Sequence, residues 1–244
     1  MRMIAIETKN LTKKYKNTFA VNNLNLSINR GELFALLGVN GAGKTTTIKM
    51  LSCLIRPTGG DAFILSNSIV SSSMKVKEII NVSPQETAVA PNLSVRENLE
   101  FIAGIYGFSK KESQQKAASM IQSFKLHKVE NKKAKNLSGG WQRHLSIAMA
   151  LITEPKVLFL DEPTVGLDVI ARRNLWTLIK TLKNKITIIL TTHYLEEATA
   201  LSDRIGIMSE GNIKAIGTKE ELIAINHSKG FEEAFITIAD NEER

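Results

Sequence analysis

A glycine-rich segment that ends in a lysine and a threonine is the strongest chemical signal in the sequence. Residues 38–45 read GVNGAGKT and match the pattern G-x-x-x-x-G-K-[ST]. Such a loop turns its backbone N–H groups inward around phosphate oxygens, and a following helix adds the positive end of its dipole. Lys44 is expected to reach the β- and γ-phosphates, and the hydroxyl of Thr45 to ligate Mg²⁺. The pattern predicts a site for a nucleoside triphosphate and its magnesium ion.

Two acidic residues end a second apolar run. Residues 157–162 read VLFLDE, so Asp161 and Glu162 stand where a buried strand of an α/β sheet presents its ligand-binding groups. Asp161 is suited to hold the metal, directly or through water, and Glu162 to orient or deprotonate an attacking water. An apolar strand ending in two acids is common on its own, but together with the phosphate loop it predicts nucleotide hydrolysis.

The segments that must position these residues alternate between strands and helices. Residues 32–37, 156–160 and 185–190 are short, nearly apolar runs, typical of strands buried on both faces of a parallel sheet. Before them, residues 23–28 alternate polar with apolar side chains, which predicts antiparallel strands within residues 1–30. Because helical stretches separate the apolar runs, the core is predicted to be α/β.

The middle of the chain has a different pattern. From residue 93 to about 137 the patterning is helical, and Ser94 followed by Glu97 is a capping-box signal for the start of a helix. We interpret this stretch as a helical lobe inserted into the α/β core. A final pair of strands is predicted at residues 204–208 and 212–216.

Length and composition exclude several classes of protein. The chain has 244 residues, of which 43% are hydrophobic and 23% charged, as in an ordinary globular protein of one domain. Its longest apolar run, residues 33–39, is too short to cross a bilayer, and the first residues lack the apolar run of a secretory signal. We therefore expect a cytoplasmic protein. The single cysteine, Cys53, excludes an intrachain disulfide and a CxxC zinc site.

The net charge of +8 is concentrated in one segment. Residues 109–136 contain eight lysines against two glutamates. The aromatic residue available there to stack on a base is Phe124 alone, so we interpret the segment as a solvated helical face and expect no nucleic acid.

Further motifs occur in the order and spacing of the ATP-binding-cassette (ABC) ATPases, and the sequence resembles that family over residues 4–217. Residues 137–140, LSGG, resemble the signature motif and precede the acidic pair. A lone histidine or tyrosine is more often structural, so the order of the motifs carries the resemblance. The other matches are Tyr15 for the aromatic residue that stacks on adenine, Gln85 for the Q-loop glutamine, residues 166–168 (GLD) for the D-loop and His193 for the switch histidine.

The resemblance implies a fold. It would be a P-loop NTPase core of the α/β class, with an N-terminal antiparallel β subdomain and an α-helical subdomain inserted at about residues 90–140. The cassette would span residues 1–230, followed by a short C-terminal tail at 231–244.

The resemblance also implies roles for individual residues. Lys44, Glu162 and His193 would act in catalysis, and Mg²⁺ would be held by Thr45, Gln85 and Asp161. The residues that contact ATP would be Tyr15, Gly38, Asn40, Gly41, Ala42, Gly43, Lys44, Thr45, Thr46, Gln85, Ser138, Gly139, Gly140, Asp161 and Asp168.

The family completes its ATP site with a second subunit. In a head-to-tail dimer, Ser138 and Gly140 of one subunit would close the site built by Lys44 and the acidic pair of the other. Two positions depart from the family pattern, since Trp141 stands where Gln is common and Val169 where many relatives have Pro. We expect the glycine backbone to keep its contact with ATP, and Trp141 to alter how tightly the dimer closes.

The function implied is an ATP hydrolase that drives export through a separate membrane permease. Residues 161–168 (DEPTVGLD) and 231–235 (FEEAF) are similar to the ABC-2 exporters of drugs, lantibiotics, sodium or polysaccharides. The partners would be an ABC-2 permease, contacted by residues 85–99, and a second ATPase subunit, identical or paralogous. The protein would lie at the cytoplasmic face of the cell membrane. Two alternatives stay open: a soluble ABC-type ATPase not involved in transport, and a nucleotide-gated regulatory module.

Overall fold

The computed structural model of the chain describes residues 3–225 and 227–240. A short 3-10 turn at Ala134–Asn136 joins the helical middle of the chain to the second half of the core. In chain order the elements are β1 (Ile4–Tyr15), β2 (Thr18–Asn29), β3 (Leu33–Leu37), α1 (Lys44–Leu51), β4 (Gly59–Ile64), β5 (Asn67–Ser68), α2 (Ser73–Ile79), β6 (Ile80–Ser83), α3 (Val95–Ile105), α4 (Lys110–Ser123), α5 (Gly139–Leu151), β7 (Val157–Asp161), α6 (Val169–Leu182), β8 (Thr187–Thr192), α7 (Leu195–Leu201), β9 (Arg204–Ser209), β10 (Asn212–Gly217), α8 (Lys219–Ile225) and α9 (Phe231–Asp240).

The central sheet has the strand order β10-β9-β3-β8-β7-β6. Strands β9, β3, β8, β7 and β6 run parallel, and β10 pairs antiparallel with β9. Every residue of β3, β7 and β8 is buried, as their apolar runs predicted. Because these strands are parallel neighbours, their carboxyl ends meet at one edge of the sheet, where the phosphate loop, the acidic pair and His193 follow.

A hydrophobic core lies on each face of this sheet. Leu33, Ala35 and Leu37 face the core shared with α5, α6 and the helical lobe. Phe34 and Leu36, which alternate with them, face the core shared with α1 and the antiparallel sheet. Burial on both faces is the reason that β3 has no polar position.

The antiparallel sheet has the order β2-β1-β4-β5. The predicted antiparallel strands within residues 1–30 are confirmed as the β1–β2 pair. The sequence patterns missed β4, which begins with two glycines and Asp61, and the short β5 and β6. The α/β class with an N-terminal antiparallel sheet is confirmed.

The helical lobe consists of α3, α4 and the 3-10 turn. The predicted capping box is confirmed, since Ser94 Oγ accepts from the Glu97 N–H at 3.2 Å and Glu97 Oε2 from the Ser94 N–H at 2.7 Å. A second capping box, formed by Ser109 and Glu112, starts α4. Asn98 is fully buried and bonds the backbone of the segment that enters the lobe, at Ala90, Leu93 and Ser94.

Two helices, α8 and α9, follow the central sheet in the part of the chain that the structure describes. The final strand pair is confirmed as β9 and β10, and α9 packs Phe231, Ala234 and Ile238 into the core on the α5 side of the sheet. Of the tail expected at residues 231–244, residues 231–240 form α9, and residues 241–244 lie outside the described residues. Within the described chain, no helix combines the length and hydropathy that crossing a membrane requires.

Candidate functional site

The phosphate loop joins β3 to α1 in the conformation that the glycine positions require. Gly43, immediately before α1, has a φ of +105°, and a Cβ there would lie 2.3 Å from the Ala20 carbonyl oxygen. Lys44 begins α1 and is 5% exposed, with its Nζ donating to the carbonyl oxygens of Gly38 at 2.8 Å and Val39 at 3.1 Å. The lysine therefore folds back over its own loop, and its ammonium lies at the helix N-terminus, where an anion is favoured.

Asp161 ends β7 with its carboxylate directed at the phosphate loop. Its Oδ1 accepts hydrogen bonds from Thr45 Oγ1 at 3.2 Å and from Thr191 Oγ1 at 2.5 Å. The pairing of β7 with β8 sets Asp161 beside Thr191, so the sheet register fixes this contact. The result is a cluster of hard oxygen atoms of the kind that Mg²⁺ prefers.

Glu162 occupies a strained position between two basic side chains. Its φ is +47°, a conformation that costs free energy in a residue with a side chain, and such strain clusters at functional sites. Its Oε1 lies 3.2 Å from Lys44 Nζ, and its Oε2 lies 2.8 Å from His193 Nδ1. In this pair an ionised Glu162 carboxylate would accept a hydrogen bond from Nδ1.

The predicted residues gather in a pocket of about 270 Å³ at the carboxyl edge of the sheet. It is lined by Asn40, Gly41, Ala42, Gly43, Lys44, Thr45, Thr46, Gln85, Glu162 and His193, together with Ala20 and Val165. Most of the residues expected on the phosphate side therefore lie together. Gly38 lies beneath the loop, under Lys44, and Asp161 behind it. Tyr15 is half exposed at the end of β1, outside the pocket lining, with Lys13 Nζ 5.2 Å from its ring.

The signature residues lie apart from this pocket. Ser138, Gly140 and Asp168 line a second cavity, of about 630 Å³, between α5, α6 and the end of α4, together with Trp141. Gly140 packs closely on α6, since a Cβ there would lie 2.9 Å from that of Ala171. Gly139, the residue before it, is the first of α5, and a Cβ there would make ordinary contact with Leu167. Asp168 caps α6, with Oδ1 accepting from the Ala171 N–H at 2.8 Å. Within one chain, then, the signature residues do not reach the phosphate loop.

Three buried polar residues behind the site were not found by sequence reasoning. Thr191 bonds both acids, through Asp161 Oδ1 and through the Glu162 N–H at 3.0 Å. Arg143 of α5 donates to the backbone carbonyls of Pro84 and Gln85. Glu197 of α7 is fully buried and accepts from Trp176 Nε1 at 3.0 Å. A polar residue at the end of an apolar strand was the available signal for Thr191, and the other two depend on tertiary contacts.

Burial shifts the ionisation of two of these groups. It raises the pKa of Glu197, opposed by interactions with Thr192, the Trp176 indole and Thr164, while the charge of Glu162 adds to the rise. Burial lowers the pKa of Arg143, opposed by the carboxylates of Asp161 and Glu197. Burying the charges of Glu197 and Arg143 therefore costs desolvation free energy, which the attraction between opposite charges offsets only in part.

Comparison with protein families shows that the family model described as ABC transporter matches residues 21–165. The daunorubicin/doxorubicin resistance ATP-binding protein DrrA of Streptomyces peucetius is 40% identical over 219 residues, which cover 89% of this chain and 66% of that protein. The probable multidrug ABC transporter ATP-binding protein YbhF of Escherichia coli is 39% identical over 220 residues, which cover 90% of this chain and 38% of that protein. The chain thus spans less than two thirds of the length of either relative.

One similar solved structure is a dimer. It is the dimeric, post-hydrolysis state of an ATP-binding cassette bound to ADP and Pi. That chain superposes on this one with a TM-score of 0.77 and 28% sequence identity, covering 87% of this chain and 98% of its own.

Proposed function

This chain belongs to the ABC transporter family, and we propose that it is the subunit that binds and hydrolyses MgATP to drive export through a separate membrane permease. One observation carries the proposal: the buried ion pair of Lys44 with Glu162, and the hydrogen bond of Glu162 to the partly exposed His193, lie at the wall of the phosphate-loop pocket. A phosphate-binding cation, a general base and its histidine partner are the groups that hydrolysis of a γ-phosphate needs.

Each group has one task in this mechanism. The phosphate loop and Lys44 hold the β- and γ-phosphates and stabilise charge that develops on their oxygens. Glu162 accepts a proton from the attacking water, and His193, bonded to it through Nδ1, fixes the direction of the carboxylate. Tyr15, exposed beside the pocket, is available to stack on adenine.

The donor set fits Mg²⁺. The Thr45 hydroxyl and the Asp161 carboxylate already converge, and Gln85 lines the same pocket. Those three residues would hold the ion, which when bound neutralises charge on the phosphate oxygens.

The second half of the ATP site would come from another subunit. Ser138 and Gly140 line a different cavity from Lys44, so one chain leaves one side of a bound γ-phosphate uncovered. In a head-to-tail dimer, each signature loop would cover the partner's phosphate loop. The uncovered side of the γ-phosphate would then be closed, and the bound ATP would join the two subunits. The dimeric assembly of the similar cassette supports this arrangement.

The permease would dock on the lobe side of the pocket. Within residues 85–99, Val95, Asn98 and Leu99 are buried, so most of the exposed part of this segment lies before α3, and Glu97 is exposed in the first turn of the helix. Phe101 and Ile105, one turn apart on α3, extend it with exposed apolar surface. We assign this surface to an ABC-2 type permease at the cytoplasmic face of the membrane, and the inserted subdomain to residues 90–140 of a cassette spanning 1–230. The names of the relatives DrrA and YbhF, a drug-resistance protein and a probable multidrug transporter subunit, support export.

The first test uses the Glu162→Gln variant, which keeps the site's shape and removes the base. Light scattering should report one chain without nucleotide and two with Mg²⁺-ATP, and steady-state turnover should be lost. Glu162→Gln with Lys44→Ala is the matched control and should stay a single chain. Retained turnover would exclude Glu162 as the base, and a single chain despite demonstrated ATP binding would contradict pairing of identical subunits.

A further inference from the structure

We propose that Arg143 is a positioning residue that makes the Q loop (residues 84–92) and the signature loop (residues 138–140) move as one body. The inference rests on the proposed function, because it links the element beside a chain's own ATP to the element that covers the partner's ATP. In this inference, Arg143 transmits a displacement of the Q loop to the signature loop of the same subunit.

Arg143 joins two segments that are far apart in sequence. It lies in α5, is 4% exposed, and directs its guanidinium away from the helix. Nη1 donates to the carbonyl oxygen of Pro84 at 2.6 Å, and Nη2 donates to the carbonyl oxygen of Gln85. The planar fork of arginine therefore grips two consecutive peptide groups, which a single ammonium could not do.

The Q loop has few other anchors at this point. Among the described residues, Arg143 makes the only hydrogen bonds to the carbonyl groups of residues 84–89. The loop follows β6, has no regular structure, and places the Gln85 side chain in the phosphate-loop pocket. The start of the loop, at residues 84 and 85, is therefore held from α5, whereas its end is held by Asn98 at Ala90 and by the Lys135 N–H at Pro91.

The other end of the link is the signature loop itself. Ser138 is the N-cap of α5 and Gly139 and Gly140 are its first residues, so Arg143 lies just one turn further along the same helix. The Gln142 N–H bonds the Ser138 carbonyl at 3.0 Å, which closes that first turn. A helix turn is stiff, so a shift of the Gln85 backbone must carry Ser138 with it as long as Arg143 holds.

The charge on Arg143 strengthens its contact with the start of the Q loop. Hydrogen bonds from a charged donor to neutral carbonyls are stronger than neutral ones, which suits a contact that must transmit displacement.

The test uses Trp141, which follows the signature loop directly, as a reporter. In a Glu162→Gln, Trp176→Phe background Trp141 is the remaining tryptophan of the two in the chain. Its emission is measured on dilute, monomeric protein as MgATP is added, and ATP binding is measured separately with a fluorescent analogue. Arg143→Met removes the charge and both donors at similar length, and Arg143→Lys keeps the charge without the fork.

Ser146→Ala is the matched control. Ser146 lies on the same helix and its hydroxyl lies 3.1 Å from that of Ser83, so the substitution removes a bond from α5 to the strand just before the Q loop. It leaves the carbonyls of Pro84 and Gln85 untouched.

MgATP should change Trp141 emission in the parent and in Ser146→Ala, and leave it unchanged in Arg143→Met, which still binds ATP. The ATP-dependent dimer of Arg143→Met should also be weaker by about tenfold or more, with Arg143→Lys between it and the parent.

Three results would overturn the inference: an Arg143→Met variant that keeps the emission change, an Arg143→Lys variant that matches the parent in both readouts, or a parent that binds ATP without any change at Trp141. Should Arg143→Met fail to fold, Arg143→Lys decides the question. A parent that binds no ATP would instead refute the proposed function.

Discussion

Replacing Trp176 by phenylalanine should destabilise the protein by an amount that grows with pH. The indole Nε1 donates to Glu197 Oε1 at 3.0 Å inside the core. Phenylalanine keeps an aromatic ring at this position but removes this donor from the carboxylate. The free energy that this hydrogen bond contributes therefore depends on whether the buried Glu197 is protonated.

The magnitude depends on that protonation state. A hydrogen bond to a charged acceptor contributes about 1.5–3 kcal/mol, and one to a neutral acceptor about 1 kcal/mol. Loss of the smaller ring of the indole adds a packing cost of about 1 kcal/mol that does not vary with pH. The free energy of unfolding should therefore fall by about 2 kcal/mol when Glu197 is protonated, and by up to about 4 kcal/mol when it is ionised.

The sign of the pH dependence follows from the raised pKa of Glu197, caused first by burial. A folded carboxyl with a raised pKa binds more protons than the unfolded one, so its contribution to stability declines as pH rises from the ordinary glutamate range through the raised value. Trp176 favours the ionised form, so its removal moves the folded pKa further upward and extends this decline.

Urea unfolding followed by circular dichroism, repeated at pH steps from the ordinary glutamate range upward as far as the protein stays folded, measures the effect. The control is the same substitution in a Glu197→Gln background, where the loss should not vary with pH. A loss that is the same at every pH in the original background would refute the reasoning, because the strength of the Trp176 contact would then not depend on the charge of Glu197.

Three substitutions test the proposed site. Lys44→Ala should abolish ATP turnover, because it removes the ammonium that Glu162 now holds at 3.2 Å, and normal turnover would refute the assignment. Tyr15→Ala should raise KM for ATP with kcat little changed, since the half-exposed ring lies outside the pocket lining; an unchanged KM would make Tyr15 structural. Gly140→Ala should weaken the ATP-dependent dimer measured by light scattering without weakening ATP binding, because its Cβ would press on Ala171 at 2.9 Å and shift the signature loop.

The strands that position the site could be predicted because they are buried on both faces. A strand such as β3 has an uninterrupted apolar run, and its pattern does not depend on knowing its neighbours. Strand β4 could not be recognised in this way, because it begins Gly59-Gly60-Asp61 and gains its position by pairing with β1. Strand β6 is four residues long with polar Asn81 and Ser83, and it owes its place to β7.

In the candidate site, too, local features could be predicted and tertiary contacts could not. The phosphate loop and the acidic pair are each contiguous in sequence, so their chemistry could be inferred from the sequence alone. The bond from Thr191 to Asp161 arises from the register of β7 against β8. The ion pair between Lys44 and Glu162 joins residues that follow β3 and β7, two strands separated by β8, and no local pattern encodes either contact. The contacts of Arg143 are still harder to predict from the sequence. Their acceptors are backbone carbonyls, which are present whatever residues occupy positions 84 and 85.

The strand order of the central sheet has a consequence for synthesis of the chain. Leu33 of β3 pairs with Ile188 of β8, so the strand before the phosphate loop finds its neighbour about 150 residues later, which takes roughly 10–30 s of translation. The phosphate loop is therefore synthesised early, whereas the strands that support it are synthesised late. A nascent chain has no framework for its nucleotide site until β7, β8 and β9 have emerged, and the long loops closed at that stage favour slow folding. The antiparallel β1–β2 pair, joined by a tight turn, has no such delay and is suited to form first.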